Sequence, residues 1–438
     1  MKIAIVGSGI SGLGAAYALK DTADVTVFEQ APRLGGHAHT VDVTFGAVTL
    51  AVDVGFIVLN ERNYPNLLGL FEALGVPTKP SDMSFGLSMD GGALEYAVDN
   101  YDQIFAQRKN LLNLSMIRGL RDILRFNREA GALLDSGALD GMTLRQFIER
   151  YNYSDWYRDC FATPFGGAIW STPVGKILDF PARNFVAFFR NHDLMQGMDA
   201  MQKWRTVDGG SRQYVQRIAK ALGPRARVGV GVTTLSRASG RPVLGLSDGT
   251  EAQFDQVILA CHGPQARALI QDLDREERTL LSAFKTLPNT AYLHSDPALM
   301  PKRRKVWSSW NFLAPKPGSD DHRPAPVTYW MQRLQGLPRE HDLFVSLNPD
   351  QAPRADLTHG QFAFDHPYYD EATFAAQAGM DAIQGRGGVW YAGAWLGYGF
   401  HEDGLRAGLR VATSLGASPA WARDLPPAIA PRLAAAAE

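Results

Sequence analysis

Lys2 to Val6 is a short, mostly apolar run, and Gly7-Ser8-Gly9-Ile10-Ser11-Gly12 follows it without a linker. Small and apolar residues then continue from Leu13 to Leu19, and a second apolar run, Val25 to Phe28, stops at Glu29. A short apolar run that ends on a glycine reads as a buried strand, and a longer small-residue stretch reads as a helix packed closely on it. The pattern therefore predicts strand, helix, strand. Gly7 permits a tight turn, Gly9 lets the backbone approach a pyrophosphate, and Gly12 lets the helix lie close to the strand. Ile10 and Ser11 open that helix, whose free N–H groups favour a negative charge. Glu29 lies about twenty residues beyond Gly9, where a carboxylate accepts hydrogen bonds from a ribose. These residues point to a bound adenine dinucleotide.

Further along, the patterning changes. Val52-Asp53-Val54-Gly55-Phe56 is again apolar with a glycine. Residues 60–203 are largely helical by pattern. Near Trp204, Val207-Asp208-Gly209-Gly210 leads into a helical period at Tyr214, Ile218 and Leu222. Alternating Val228, Val230 and Val232 predict a strand, Leu244 to Leu246 another, and Phe254 to Ala260 a buried one ended by Cys261-His262-Gly263-Pro264. Strand-like runs follow at Thr290–Leu293, 306–312, 328–331 and 344–347, and residues 314–326 read as an exposed loop. Gly388 to Ala394 is a last buried strand, and Leu405 to Leu415 a small-residue helix. The expected class is α/β (α+β): a discontinuous Rossmann-like domain of residues 1–59, 204–263 and 385–416, with an inserted sheet-plus-helices substrate domain of residues 60–203 and 264–384. Residues 417–438, rich in Pro and Ala, read as a loosely ordered extension.

Composition narrows the function. The 438 residues carry a net charge of −1, so no global field recruits nucleic acid, and no nucleic-acid motif is present. Cys160 and Cys261 are the only cysteines and read as reduced thiols. No signal peptide precedes the first strand, and no apolar run is long enough to span a bilayer, which places the chain in the cytoplasm by expectation. Histidines are scattered, and no metal site is expected.

Nicotinamide and flavin domains can begin identically. Straight after Glu29 the chain reads Gln30-Ala-Pro-Arg33-Leu-Gly35-Gly36-His37. A nicotinamide enzyme has no particular need for this second glycine pair, whereas FAD is longer at its flavin end and is approached there by backbone. At the far end, Gly393-Ala394-Trp395 and Tyr398-Gly399-Phe400-His401-Glu402-Asp403-Gly404 supply the complement. Together the two ends resemble the flavin-dependent amine oxidase and phytoene desaturase superfamily. The middle segments Pro164–Ser171, 307–312, Thr328–Met331 and 346–349 resemble a bacterial subgroup of predicted NAD/FAD-binding proteins associated with cyclopropane-fatty-acyl synthase-like enzymes. One branch of that subgroup is linked to furan fatty acid formation. The resemblance implies FAD as cofactor, bound without a covalent link. It also implies that Val230 or a neighbour lies against the adenine, that Ala260 leads back to the cofactor, and that the C-terminal segment closes the flavin end.

Flavin chemistry asks the protein to orient the substrate and stabilise the reduced ring. A helix starting near Asp403 has backbone donors for that second task, provided the side chains of Glu402 and Asp403 point away. His401, just before that helix, is the leading titratable candidate, with Tyr398 beside it and His37 after the second glycine pair. Each can equally be a residue that only fixes its turn. Trp170, Trp310, Tyr329, Trp330, Trp395, Tyr398 and Phe400 predict an aromatic, apolar cavity, although each alone is compatible with core packing.

Residues 108–128 form a basic amphipathic pattern. Leu112, Met116, Ile117, Leu120, Ile123 and Leu124 share one helical arc, and Arg118, Arg121, Arg125 and Arg128 the next. This suits an anionic membrane surface or an ordinary helix packed on the domain. Lys302-Arg303-Arg304-Lys305 could add to such a patch. Three functional readings stay open. One is an FAD-dependent dehydrogenase that desaturates a lipid acyl chain, including a methyl-branched phospholipid acyl group. The second is a flavin amine oxidase. The third is a non-catalytic flavin- and lipid-binding partner of a methyltransferase or oxygenase.

Overall fold

Ile3, Ile5, Val25, Val27 and Ile258 are all fully buried, because the strands that carry them are covered on both faces. The computed structural model describes residues 1–195, 203–314 and 325–425. Its central feature is a parallel sheet in the order Ala226–Val228, Asp24–Glu29, Lys2–Val6, Gln256–Leu259, Val389–Tyr391. The helix Ile10–Leu19 packs on it, with the C-terminal helix His401–Ser414 alongside. Glycines make this helix pair close: a Cβ on Gly408 would meet the Ser11 carbonyl oxygen at 2.2 Å, and one on Gly14 would meet Leu405 Cδ1 at 2.3 Å.

A seven-stranded sheet forms the other half, in the order Thr358–Tyr368, Lys285–His294, Phe344–Leu347, Val327–Trp330, Trp310–Ala314, Phe85–Met89, Leu94–Ala97. Only Trp310–Ala314 and Phe85–Met89 pair in parallel. Helices Leu114–Asp135, Leu144–Arg150, Thr163–Trp170 and Ala182–Asn191 build an aromatic core around Phe126, Phe147, Phe185 and Phe189. The mixed α/β class expected from the pattern is therefore what the chain adopts.

Several expectations are corrected. Val228, Val230 and Val232 are not one strand. Gly229, at φ +75°, breaks the run, so Ala226–Val228 joins the parallel sheet and Val232–Ser236 a separate antiparallel one. Residues 60–203 are not only helical, since Phe85–Met89 and Leu94–Ala97 belong to the large sheet. The helix Pro65–Leu74 packs Leu67, Leu70 and Phe71 into the core around the parallel sheet, while the hairpin Thr40–Phe45/Val48–Asp53 packs Val43, Leu50 and Val52 on the large sheet. Residues 417–425 are docked rather than loose: Trp421 lies against Tyr17, and Asn66 Nδ2 donates to the Asp424 carbonyl at 3.1 Å. Residues 426–438 and most of the 314–326 loop lie outside the described residues.

The basic helix is also rotated from expectation. Its buried stripe is Met116, Gly119, Asp122, Phe126, Ala130 and Leu134. A Cβ on Gly119 would sit 2.0 Å from Trp156 Cε3, so the glycine fixes which face lies inward. Asp122 accepts from the Ser154 backbone N–H at 2.8 Å and pairs with Arg125 at 3.1 Å.

Candidate functional site

The turn after Lys2–Val6 is built by contacts that leave no room for side chains. Gly7 lies at φ +103°, and its N–H donates to the Phe28 carbonyl at 2.9 Å. A Cβ on Gly12 would meet the Gly7 carbonyl oxygen at 2.0 Å. Gly9 differs: a Cβ there meets nothing within 4 Å, because it faces an open crevice. No side chain caps the helix behind it, which leaves its first N–H groups free to hold an anion. The second glycine pair closes over the first. Gly35 N–H donates to the Ser8 carbonyl at 3.0 Å, and Gly36, at φ +56°, approaches within 3.1 Å of Gly9 Cα, measured from its own Cβ position.

Glu29 ends the second strand at this crevice. Its carboxylate accepts from Ser8 N–H (3.0 Å), Ser8 Oγ (2.6 Å) and Ala31 N–H (2.8 Å). These bonds fix its direction and leave lone pairs for a ribose. Gln30, Gly231, Val232, Ala260 and Cys261 continue the wall. Val230 does not line it. Its N–H donates to the Glu29 carbonyl at 3.0 Å, and its neighbour Gly231 takes the lining position. The crevice fits the adenosine diphosphate half of FAD: an uncapped helix end, a glycine face without side chains and an oriented carboxylate.

The crevice opens into one continuous cavity of about 670 Å³. Gly393, Ala394, Tyr398, Gly399, Phe400 and His401 bound it on one side, and Gly36, His37, Gly55 and Phe56 on another. The two ends of the chain thus meet around one space. Glu402 and Asp403 are committed elsewhere. Glu402 accepts from Asn66 N–H, Asn66 Nδ2 and Leu67 N–H at 2.8–3.0 Å, holding the start of Pro65–Leu74. Asp403 turns back to accept from Tyr398 and Phe400 N–H at 3.1 and 3.0 Å. Neither residue lines the cavity, and Gly404 packs against Ile10 and Ser11. Asp53 is also absent from the lining. It is fully buried, accepts from Thr40 Oγ1, Ser211 N–H and Ser211 Oγ, and burial pushes its carboxyl up to about 6. It ties the hairpin to the helix Arg212–Leu222 rather than touching a cofactor.

Five histidines line the cavity: His37, His192, His262, His366 and His401. Burial lowers the pKa of each, to about 4 for His192 and His366 and about 3 for His401, so all are neutral imidazoles near pH 7. His401 stacks on Phe56, with centroids 3.8 Å apart, and shares a hydrogen bond with Tyr214. His37 packs between Phe364, His366 and His262, and its Nε2 is buried without a partner. Such an orphaned donor or acceptor beside the second glycine pair is a further sign that a group belongs there. Tyr398 sits at the rim, partly exposed, and burial of its ring raises its pKa, which keeps the phenol protonated.

Beyond the histidines the lining is mostly aromatic and aliphatic, with the neutral polar side chains of Ser84, Ser171 and Gln265 among them. Trp170, Trp310, Tyr329, Trp395 and Phe400 are present as expected, while Trp330 instead donates to Asp342 at 3.0 Å and packs on Trp307. Sequence reasoning missed Phe85, Phe165, Phe188, Trp204, Phe364 and His366. For His366 a signal existed. Phe362, Phe364 and His366 alternate along one strand, so they share a face. For Phe85, Phe165 and Phe188 there was none, since only tertiary packing decides which phenylalanine borders the cavity. Among the described residues, the lining holds one acidic side chain, Glu29, and no lysine or arginine.

Comparison with known proteins agrees with this geometry. The family model of flavin containing amine oxidoreductases matches residues 10–309. Among solved structures, putrescine oxidase bound to putrescine is similar at 17% identity and a TM-score of 0.65, covering 95% of this chain and 99% of that one. Cyclohexylamine oxidase from Brevibacterium oxydans IH-35A is similar at 17% identity and a TM-score of 0.64, covering 94% and 98%. A CLA-producing fatty acid isomerase from P. acnes is similar at 15% identity and a TM-score of 0.62, covering 93% and 96%. At these identities the likeness carries the fold. No curated protein matches the chain.

Proposed function

Because the chain belongs to the flavin containing amine oxidoreductase family, we propose that this FAD-dependent oxidoreductase removes two hydrogens from a lipid acyl chain, leaving a double bond. A methyl-branched acyl group of a phospholipid, on the path to furan fatty acids, is the narrower form of the reading. The observation that carries it is the cavity lining, which is mostly aromatic and aliphatic, holds its histidines as neutral imidazoles and, among the described residues, has no charged anchor beyond Glu29 at the adenosine end. A hydrocarbon chain gains from burial in such a cavity, at about 0.8 kcal/mol per CH₂. A diamine would leave a charge there without a partner.

Held by these residues, FAD would supply the two-electron acceptor for a hydride from one substrate carbon, and the proton of the adjacent carbon would pass to a base or to water. The chain's own residues orient the substrate against Trp170, Trp310 and Tyr329 and exclude water. The N-terminus of His401–Ser414 borders the cavity through His401, and its backbone dipole favours negative charge there. Among the described residues, no lysine of the lining supplies the lysine–water arrangement of many amine oxidases. The test is anaerobic mixing of the yellow protein with extracted phospholipids and, separately, with simple amines. Bleaching of the flavin by lipid supports the reading. Bleaching by amines alone favours the amine oxidase, and no bleaching by either favours the non-catalytic partner.

A further inference from the structure

Ten large apolar residues are exposed among the described ones, and five of them, Tyr101, Leu111, Leu112, Leu114 and Leu124, fall between positions 101 and 124. Leu112 and Leu114 are 87% and 80% exposed, close to the limit for a side chain that touches nothing. They flank Asn113, which caps the helix Leu114–Asp135 by accepting from Met116 N–H at 3.1 Å. The helix is therefore held in place by its cap and its buried stripe, while its leading leucines project. Isolated exposed leucines need no explanation, but a cluster does.

Basic side chains outnumber acidic ones around this cluster, where Asp102 and Asp155 are the exposed acidic neighbours. Arg108, Lys109, Arg118 and Arg121 are exposed along the same segment. The basic run 302–305 joins it: Asp102 pairs with both Arg108 and Lys305, and Gln103 Nε2 donates to the Lys305 carbonyl at 3.0 Å. Two basic segments far apart in sequence thus meet at one acidic residue. Leucines that project from a field of basic side chains match a bilayer with anionic headgroups, in which the leucines enter the acyl layer and the cations meet phosphates.

The surface also lies near the cavity. Val98 lines the cavity, its N–H donates to the Phe85 carbonyl at 3.1 Å, and Tyr101 follows three residues later, a span of at most about 11 Å. We infer that the face carrying Tyr101, Leu112, Leu114, Arg118 and Arg121 docks on an anionic bilayer, so that an acyl chain reaches the cavity from the membrane. The purpose of this docking rests on the acyl-chain reading, but the docking itself is measured without turnover.

The experiment is co-sedimentation of the FAD-loaded protein with vesicles of phosphatidylcholine alone or mixed with phosphatidylglycerol. The protein is expected to bind the mixed vesicles at low salt and to leave them at high salt. Arg118→Gln with Arg121→Gln should weaken this binding by roughly tenfold or more, and Leu112→Ser with Leu114→Ser by a similar factor. All four side chains are exposed, so both variants should keep their FAD and their melting temperature. Failure of the unaltered protein to bind mixed vesicles at low salt overturns the inference. So does equal binding to phosphatidylcholine alone, or unchanged binding by both variants. If vesicles bind as expected but no lipid bleaches the flavin, the docking surface stands and the acyl-chain reading falls.

Discussion

Tyr214 and His401 share a hydrogen bond of 2.8 Å between the phenol and Nε2, although 187 positions separate them in the chain. Tyr214 is fully buried and His401 half-buried, and Phe56 stacks on the imidazole. Tyr214→Phe leaves the imidazole nitrogen without its partner, at a cost of about 1–3 kcal/mol. The variant is expected to keep FAD and to melt at lower temperature. His401→Ala also loses the stacking and should slow bleaching of the flavin by substrate. Because burial holds His401 at about 3, the bleaching rate of the unaltered protein should show no histidine-like titration above about pH 5. A rate that follows a group near pH 6.5 and loses that dependence in His401→Ala would contradict this.

The pH dependence of stability has a definite sign. Burial lowers His39, His192, His294 and His366 from 6.5 to about 4, and His401 to about 3. Between those values and 6.5 the unfolded chain binds protons that the folded one does not. Each histidine therefore stabilises the fold above 6.5 and loses that contribution as pH falls. Burial raises Asp53 and Asp403 to about 6, and there the folded chain binds the extra proton, which acts in the opposite direction. Five groups outweigh two, so the melting temperature should fall as pH drops from about 6.5 to about 4.5. A flat or rising profile in differential scanning calorimetry would refute this balance.

Gly9 and Gly408 should fail in different ways. Gly9→Ala places a methyl group in open crevice space, and Gly9 has an ordinary φ of −65°. The chain should fold and bind FAD poorly. Gly408→Ala drives a methyl group to 2.2 Å from the Ser11 carbonyl oxygen. It should lower stability by about 1–3 kcal/mol or more by separating the two helices. Flavin content and urea midpoint, measured together, distinguish the two outcomes.

Glu29→Ala removes the acceptor of three hydrogen bonds, from Ser8 N–H, Ser8 Oγ and Ala31 N–H, as well as the carboxylate that faces the crevice. At about 1.5–3 kcal/mol for bonds to a charged group, FAD affinity should fall by roughly ten- to a hundredfold. Glu29→Gln, which keeps one carbonyl oxygen, should lie between. Isothermal titration of the apoprotein with FAD reads both.

The cofactor crevice was legible in the sequence because its chemistry is local. Gly7, Gly9, Gly12 and Glu29 sit on one strand–helix–strand unit, where spacing along the chain translates directly into position. Gly393 and Gly399 were legible through resemblance to known C-terminal segments. Asp53 misled because a buried carboxylate beside a glycine reads equally as a cofactor contact or as a tie between elements, and its partner Ser211 lies 158 residues away. The inward face of Leu114–Asp135 was set by Gly119 against Trp156, a contact that helical periodicity ignores in favour of Leu120 and Leu124. Trp204 enters the cavity only through sheet pairing between distant segments, its strand joining Val58–Asn60.

The strand order has a consequence for synthesis. Lys2–Val6 is the central strand of the parallel sheet and pairs on one side with Gln256–Leu259, which in turn pairs with Val389–Tyr391. On a ribosome adding about 5–20 residues per second, the first strand waits on the order of ten to fifty seconds for that neighbour. During this interval the nascent chain exposes an apolar sheet edge, and the cavity wall of Gly393, Ala394 and Tyr398 to His401 does not yet exist. A cofactor can therefore be enclosed fully only after Val389–Tyr391 and Gly393–His401 have been made, so a cell short of flavin would accumulate chains with an open cavity at risk of aggregation rather than stable early fragments.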